Sequence, residues 1–163
     1  MLIQIKNKDK FIINEFTFKC CIGKAGIKKN KIEGDKSTPK GTFSIGKLYY
    51  RQDRVRKPIT NLDTKVIKLN MGWCNDPNHK NYNKEIKIKK KTKHEKLYRK
   101  DHKYNYLIVI NYNTKKITPN NGSAIFIHLT KNFKPTDGCV AIKEKDFLIL
   151  LKLINKKTQI KIY

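Results

Sequence analysis

His128 and Cys139 are the two side chains whose types and spacing could carry a reaction. A thiol is mostly protonated near neutral pH, and the thiolate is the nucleophile. An imidazole within reach can take that proton and later hand it to a departing amine. Gly138, directly before the cysteine, lets the backbone come close to a carbonyl. The N–H groups around Gly138 and Cys139 would then receive the oxyanion, usually the largest single catalytic effect. The plain alternative is structural, with Cys139 a small buried hydrophobe and His128 a hydrogen-bonded rim residue. Spacing alone leaves both readings open.

Two adjacent strand ends joined by one loop would bring the pair together. Residues 123–129 read as a strand reaching His128, a loop containing Pro135 follows, and 139–142 read as the next strand. Further runs rich in Ile, Val, Tyr, Phe and Thr cover 2–5, 10–20, 41–50, 65–70 and 104–112. Residues 158–163 alternate polar and apolar, as a closing strand with one buried face does. Loops fall at 30–41, 75–83 and 117–122, where Gly, Asn, Asp and Pro gather. Phe147, Leu150, Leu151 and Ile154 form one apolar stripe and predict a helix over 144–154. Glu144 and Asp146 near its start and Lys152 and Lys156 near its end suit the helix dipole. Residues 84–103 read as a basic loop, or as a loop plus a short helix over 94–100. No repeat or boundary interrupts the chain, so residues 1–163 are expected to form one mainly β domain with a late helix packed on it.

The 163 residues hold 38 Lys+Arg against 13 Asp+Glu, a net charge of +25. A hydrophobic content of 38% suffices for a real core. No run approaches the roughly 20 apolar residues of a membrane-spanning helix. The longest, 147–151, ends at Lys152. The N-terminus shows neither the uninterrupted apolar segment nor the small-residue cleavage site of a secretory signal. The charge suggests a polyanion, with its densest run at 84–100. Yet the bases are nearly all Lys, whereas the forked Arg is the usual reader of bases. No KH loop or RNP aromatic signature is present. Nucleic acid is therefore not expected, and the basic surface reads as solvated lysine or as a face for an anionic polymer. Cys20 and Cys21 are expected to pack in a strand on opposite faces. Cys74, His79, His94 and His102 match no zinc spacing, so neither a metal nor a cofactor is expected.

The segment from His128 through Thr136-Asp137-Gly138-Cys139-Val140 resembles the signature of the L,D-transpeptidase (YkuD-type) catalytic domain. That signature is a His, a loop, and then Ser/Thr-x-Gly-Cys-Ile/Val. Upstream, Glu33-Gly34-Asp35-Lys36-Ser37-Thr38-Pro39-Lys40-Gly41-Thr42-Phe43 resembles the same family's D-G-x-T-P-x-G-x-F segment. The two occur in the family's order. The stretches 71–77, 82–83, 94–95 and 99–102 look like a compact bacterial branch, so the likeness runs from about residue 20 to the C-terminus. Two departures stand out. The commoner form has His directly before Gly-Cys and Arg soon after, where this chain has Asp137 and Ala141, and the loop from His128 is shorter.

The resemblance implies a mainly β, L,D-transpeptidase-like sandwich with a helix after the cysteine strand. It implies that Cys139 attacks the bond before a terminal D-alanine in a peptidoglycan stem peptide and forms a thioester. His128 would be base and then acid, the Leu129 carbonyl would orient its ring, and the Gly138 backbone would serve the oxyanion. An amine of a neighbouring stem would receive the acyl group, or water would, giving an L,D-carboxypeptidase. A non-enzymatic basic polyanion-binding module is the alternative of another class. The family's substrate implies the cell envelope or periplasm as location, acylation by carbapenems, and a depressed thiol pKa at Cys139. Substrate-binding candidates are Thr136, Asp137, Trp73, His94, Glu95 and Arg99. Thr136 would hydrogen-bond near the thiol or shape the turn after Pro135. His94, Glu95 and Arg99 would share a face on a helix turn and meet stem carboxylates or amines, or else form an exposed polar turn. Trp73 reads as a core or pocket-wall residue, with substrate stacking as the other possibility.

Overall fold

The computed structural model describes residues 1–89 and 92–163, so Lys90 and Lys91 of the dense basic run lie outside the described residues. Among the described residues fourteen strands and one helix follow in chain order. They are β1 (Leu2–Lys6), β2 (Lys10–Ile13), β3 (Phe16–Cys21), β4 (Ile27–Lys28), β5 (Thr38–Pro39), β6 (Gly41–Tyr50), β7 (Thr64–Val66), β8 (Met71–Cys74), β9 (Glu85–Lys87), β10 (His94–Lys96), β11 (Tyr106–Ile110), β12 (Phe126–Leu129), β13 (Val140–Ile142), α1 (Glu144–Leu153) and β14 (Gln159–Ile162).

The main sheet runs β11-β12-β13-β3-β2-β1-β14-β6-β7, and β11 also pairs with β6. Hydrogen bonding therefore closes a ring of strands, with β7 appended to β6. Two strands pass from one layer of this sandwich to the other. In β3, residues 16–19 pair with β2 and Cys20 and Cys21 pair with β13. In β6, residues 41–44 pair with β14 and residues 45–50 with β11. The expected mainly β sandwich with a helix after the cysteine strand is the observed fold.

Pleat alternation decides what each strand does. Ile3, Ile5, Phe11, Ile13, Ile108, Ile110, Ile127, Leu129, Val140 and Ile142 face the inner core. The stripe of α1, Phe147, Leu150 and Leu151, with Ile154 after it, joins that core. Phe147 stacks on Tyr106 at a centroid distance of 5.9 Å. The first turn of α1 carries Glu144 and Asp146 and the last carries Lys152, as its dipole favours. The opposite pleat of β11 and β12 sends Leu107, Val109 and Phe126 outward into a second cluster with Tyr49, Met71, Trp73, Leu97, Tyr104 and Cys139. A small sheet, β10-β8-β9, roofs that cluster.

Several expectations need correction. The run 10–20 is two strands, because Asn14 turns the chain at φ +48°. The run 65–70 forms a strand only over β7. Residues 94–100 are not helical: β10 pairs antiparallel with β8, His94 opposite Cys74 and Glu95 opposite Trp73. In a strand those two side chains alternate, so the shared helical face of His94, Glu95 and Arg99 does not exist.

Candidate active site

β12 and β13 lie parallel, with Ile127 opposite Val140 and His128 opposite Ala141. Cys139 precedes β13 by one residue and shares the face of Ala141, as Phe126 and His128 share the outer face of β12. Imidazole and thiol thus line one cleft of about 680 Å³, together with Tyr104, Glu95, Arg99 and Ala124. Both are buried, His128 at 5% exposure and Cys139 at 8%.

The imidazole is oriented by its own strand. His128 Nδ1 donates to the Leu129 carbonyl at 2.9 Å. A carbonyl only accepts, so the hydrogen sits on Nδ1 and Nε2 keeps the lone pair. Tyr104 packs edge-on against the ring at 5.3 Å. The Tyr104 hydroxyl donates to Glu95 Oε1 at 3.0 Å, and Arg99 Nη1 donates to the same oxygen at 3.1 Å. Arg99 in turn is gripped by both oxygens of Asp101 at 2.9 and 2.7 Å.

The thiol sits between two backbone groups. The Phe126 N–H donates to Cys139 Sγ, and Sγ donates to the Ala124 carbonyl, each at 3.3 Å. Ala124 holds a left-handed φ of +53°, unusual for a residue with a Cβ. Asn83 braces it: its Oδ1 accepts from the Ala124 N–H at 3.1 Å and from Trp73 Nε1 at 2.8 Å. Its Nδ2 donates to the Tyr112 and Asn113 carbonyls at 3.0 and 2.8 Å.

The two sequence segments singled out above meet under the cysteine. Thr38 Oγ1 accepts from the Gly23 N–H at 2.9 Å and donates to the Gly138 carbonyl at 2.8 Å. Gly138 has φ +137°, and a Cβ there would sit 2.8 Å from the Ser37 carbonyl oxygen. Only glycine fits this approach. Thr136 Oγ1 donates to the Cys139 carbonyl at 2.6 Å and accepts from the Gly138 N–H at 3.1 Å. Thr136 therefore both shapes the turn and fixes the cysteine.

Burial sets the electrostatics. It pushes the Cys139 thiol up to about 12, with the Phe126 N–H opposing and Glu95 reinforcing. It lowers His128 to about 4, against the pull of the Leu129 bond, with Lys103 and Arg99 adding to the shift. The depressed thiol pKa expected from sequence is therefore corrected: desolvation disfavours both charged forms, and the resting pair is neutral thiol and neutral imidazole.

Thr136, Asp137, Glu95 and Arg99 line the cleft; Trp73 and His94 do not. Trp73 is 7% exposed and packs edge-on against Tyr49 and Phe126, so it is a roof residue. His94 is held at Nδ1 by the Thr92 carbonyl at 2.6 Å, on the roof sheet. Asp137 reaches outward to Lys24 at 3.1 Å. Sequence reasoning missed Tyr104, Ala124 and Asn83, since contacts made across 15 to 41 residues of separation leave no spacing signal.

A strand-built sandwich with a thiol and an imidazole in one cleft, on neighbouring parallel strands, defines the class. The chain belongs to the L,D-transpeptidase catalytic domain (YkuD) family, whose model matches residues 3–162. Members of this family are peptidoglycan-modifying enzymes. Among solved structures the chain is similar to the helical cell shape determining protein Pgp2 from Campylobacter jejuni, with a TM-score of 0.53 and 17% identity. The match covers 99% of this chain and 46% of that one, so this chain spans about half the length of that protein. At that identity the likeness is one of fold. No curated protein sequence matches this chain. No helix among the described residues is long and apolar enough to cross a membrane.

Proposed function

We propose that residues 1–163 form one catalytic domain, a cysteine-dependent L,D-transpeptidase acting on peptidoglycan stem peptides at the cell envelope. The observation that carries this is the Leu129 carbonyl bond to His128 Nδ1 at 2.9 Å. It leaves Nε2 as the base, on the same sheet face as the thiol. Cys139 attacks the carbonyl that precedes the terminal D-alanine. Its S–H proton passes to His128 Nε2 as the C–S bond forms, so no free thiolate need build up in the desolvated cleft. The developing oxyanion falls to the backbone N–H groups at Gly138 and Cys139, the former shared with Thr136 Oγ1. Collapse breaks the C–N bond, His128 returns its proton to the departing D-alanine nitrogen, and a thioester remains. An acceptor amine, deprotonated by His128, attacks that thioester and regenerates the thiol. Glu95, Arg99 and Tyr104 act through the imidazole: Arg99 is already engaged by Asp101 and Glu95, which suits a brace rather than a substrate clamp.

The test is incubation of the protein with a disaccharide-tetrapeptide, read by mass spectrometry, beside Cys139→Ala. A dimer lacking one D-alanine, absent with the variant, is the expected result, and fragmentation locates the new bond. Tripeptide monomer without dimer would replace transfer by hydrolysis. Unchanged substrate with a folded protein would overturn the reading. Incubation with a carbapenem gives an independent arm, with a mass adduct on Cys139 expected.

A further inference from the structure

The cleft is not evenly charged. At its His128 end stand Lys103, on the loop before β11, and Lys131 and Lys134, on the loop between β12 and β13. All three are exposed. None of the ion pairs among the described residues involves them. By contrast Lys24, Lys31 and Arg99, which also line the cleft, are each paired with an acid. Lys36, on the loop before β5, lines the cleft unpaired among the described residues as well, so three of its four unpaired lysines are Lys103, Lys131 and Lys134. His102 lines the same end, and its buried Nε2 has no hydrogen-bond partner. Three like charges beside an unsatisfied ring nitrogen form an arrangement that an anion with hydrogen-bonding oxygens relieves. Burial is the main cause that lowers His102 and His128; Lys131 and Lys103 add to it at His102, against Asp101 and Glu144, and Lys103 adds to it at His128.

We infer that this end of the cleft, formed by Lys103, Lys131, Lys134 and His102, receives a carboxylate of the stem peptide and selects free-acid stems over amidated ones. The inference rests on the proposed function, since it places the stem peptide in this cleft. Amidation removes the negative charge and one acceptor oxygen while leaving shape nearly unchanged. Discrimination thus comes from charge at one end of the site rather than from steric exclusion. The lysines act as mobile point charges, so the preference weakens as salt rises.

The test separates binding from turnover. Two disaccharide-tetrapeptides of the same sequence, one with free carboxylates and one amidated, are titrated into the Cys139→Ala protein by calorimetry. The same titrations use a Cys139→Ala protein carrying Lys103→Gln, Lys131→Gln and Lys134→Gln. The free acid is expected to bind roughly tenfold more tightly, at about half a kcal/mol per exposed lysine contact. That preference should vanish in the triple Gln background and survive when the three lysines become Arg. Equal binding of the two stems, binding of neither, or a preference that persists without the lysines would overturn the inference. Equal loss for both stems in the triple variant would mean general attraction of polyanions and would overturn it too. A preference seen in binding without turnover by the unmodified enzyme would leave the carboxylate site standing and remove the transferase reading.

Discussion

Along β12, Ile127 and Leu129 face the inner core while Phe126 and His128 face outward, Phe126 into the second cluster and His128 into the cleft. Along β13, Val140 and Ile142 point inward and Ala141, following Cys139, points outward. The two faces sit on the same backbone yet differ in chemistry. The inner one is aliphatic, shared with α1, and its side chains are interchangeable in kind if not in volume. The outer one is held by directional bonds to single backbone atoms: Leu129 O for the imidazole, Ala124 O and Phe126 N for the thiol. A pleated strand thus carries core packing on one face and the candidate site on the other, and a mutation can be aimed at either.

Cys139→Ala should break only the outer face. Thioester formation and product are expected to fall below detection, with the thermal midpoint within a few degrees of the parent. Phe147→Ala should break only the inner one. It removes a fully buried ring and should cost about 3–5 kcal/mol in urea unfolding. Refolded protein should keep a Cys139 that iodoacetamide labels at the parent's rate.

The pH dependence joins the two faces. His128 drops from 6.5 to about 4 on folding, so the unfolded chain binds the extra proton between those values. Stability from this group is complete above pH 6.5 and is lost as pH falls toward 4, on the order of 3 kcal/mol at most. His128→Asn should flatten that acid limb in pH-dependent urea melts. Cys139 shifts the other way, from 9.0 to about 12. Its contribution is complete below pH 9 and is lost as pH rises toward 12. Activity should therefore show a broad plateau between these limbs.

Gly138→Ala sits between the faces. The new Cβ meets the Ser37 carbonyl oxygen, and φ +137° strains any side chain. A loss of about 1–3 kcal/mol is expected, with slowed alkylation of Cys139 showing that the thiol has moved. The smallest effect belongs to Glu95→Gln. The carboxylate helps to raise the thiol, so its neutral isostere should lower that pKa and speed iodoacetamide labelling at pH 9 a few-fold. A slower reaction would mean that Glu95 matters through Tyr104 alone.

The inner face was legible in the sequence because alternation and the 147, 150, 151, 154 stripe are local patterns. Hence β1, β6, β14 and α1 fall close to their expected bounds. The meeting of His128 and Cys139 in one cleft was legible because the two flank one loop. The roof was not. β8, β9 and β10 are three or four residues each, β8 holding a Gly and β9 and β10 each a Glu and a Lys, and are strands because they pair with one another rather than by propensity. That is why 94–100 invited a helical reading and Trp73 and His94 a place in the cleft. The braces were hidden for a related reason. Asn83 reaches Ala124 across 41 positions, and Tyr104 reaches the imidazole across 24.

The closure of the ring has a consequence for how the chain reaches this state. β14 slots between β1, to which it runs parallel, and β6. Until those four residues are available, β1 and β6 each present a row of unpaired N–H and C=O groups. Such edges are templates for strand addition by other chains. That seam stays open until Gln159–Ile162 has been made, and pairing between segments so far apart in sequence is the kind of contact that forms slowly. A short segment matching Gln159–Ile162 would compete for the seam while the protein folds and would find no place to bind once it has closed.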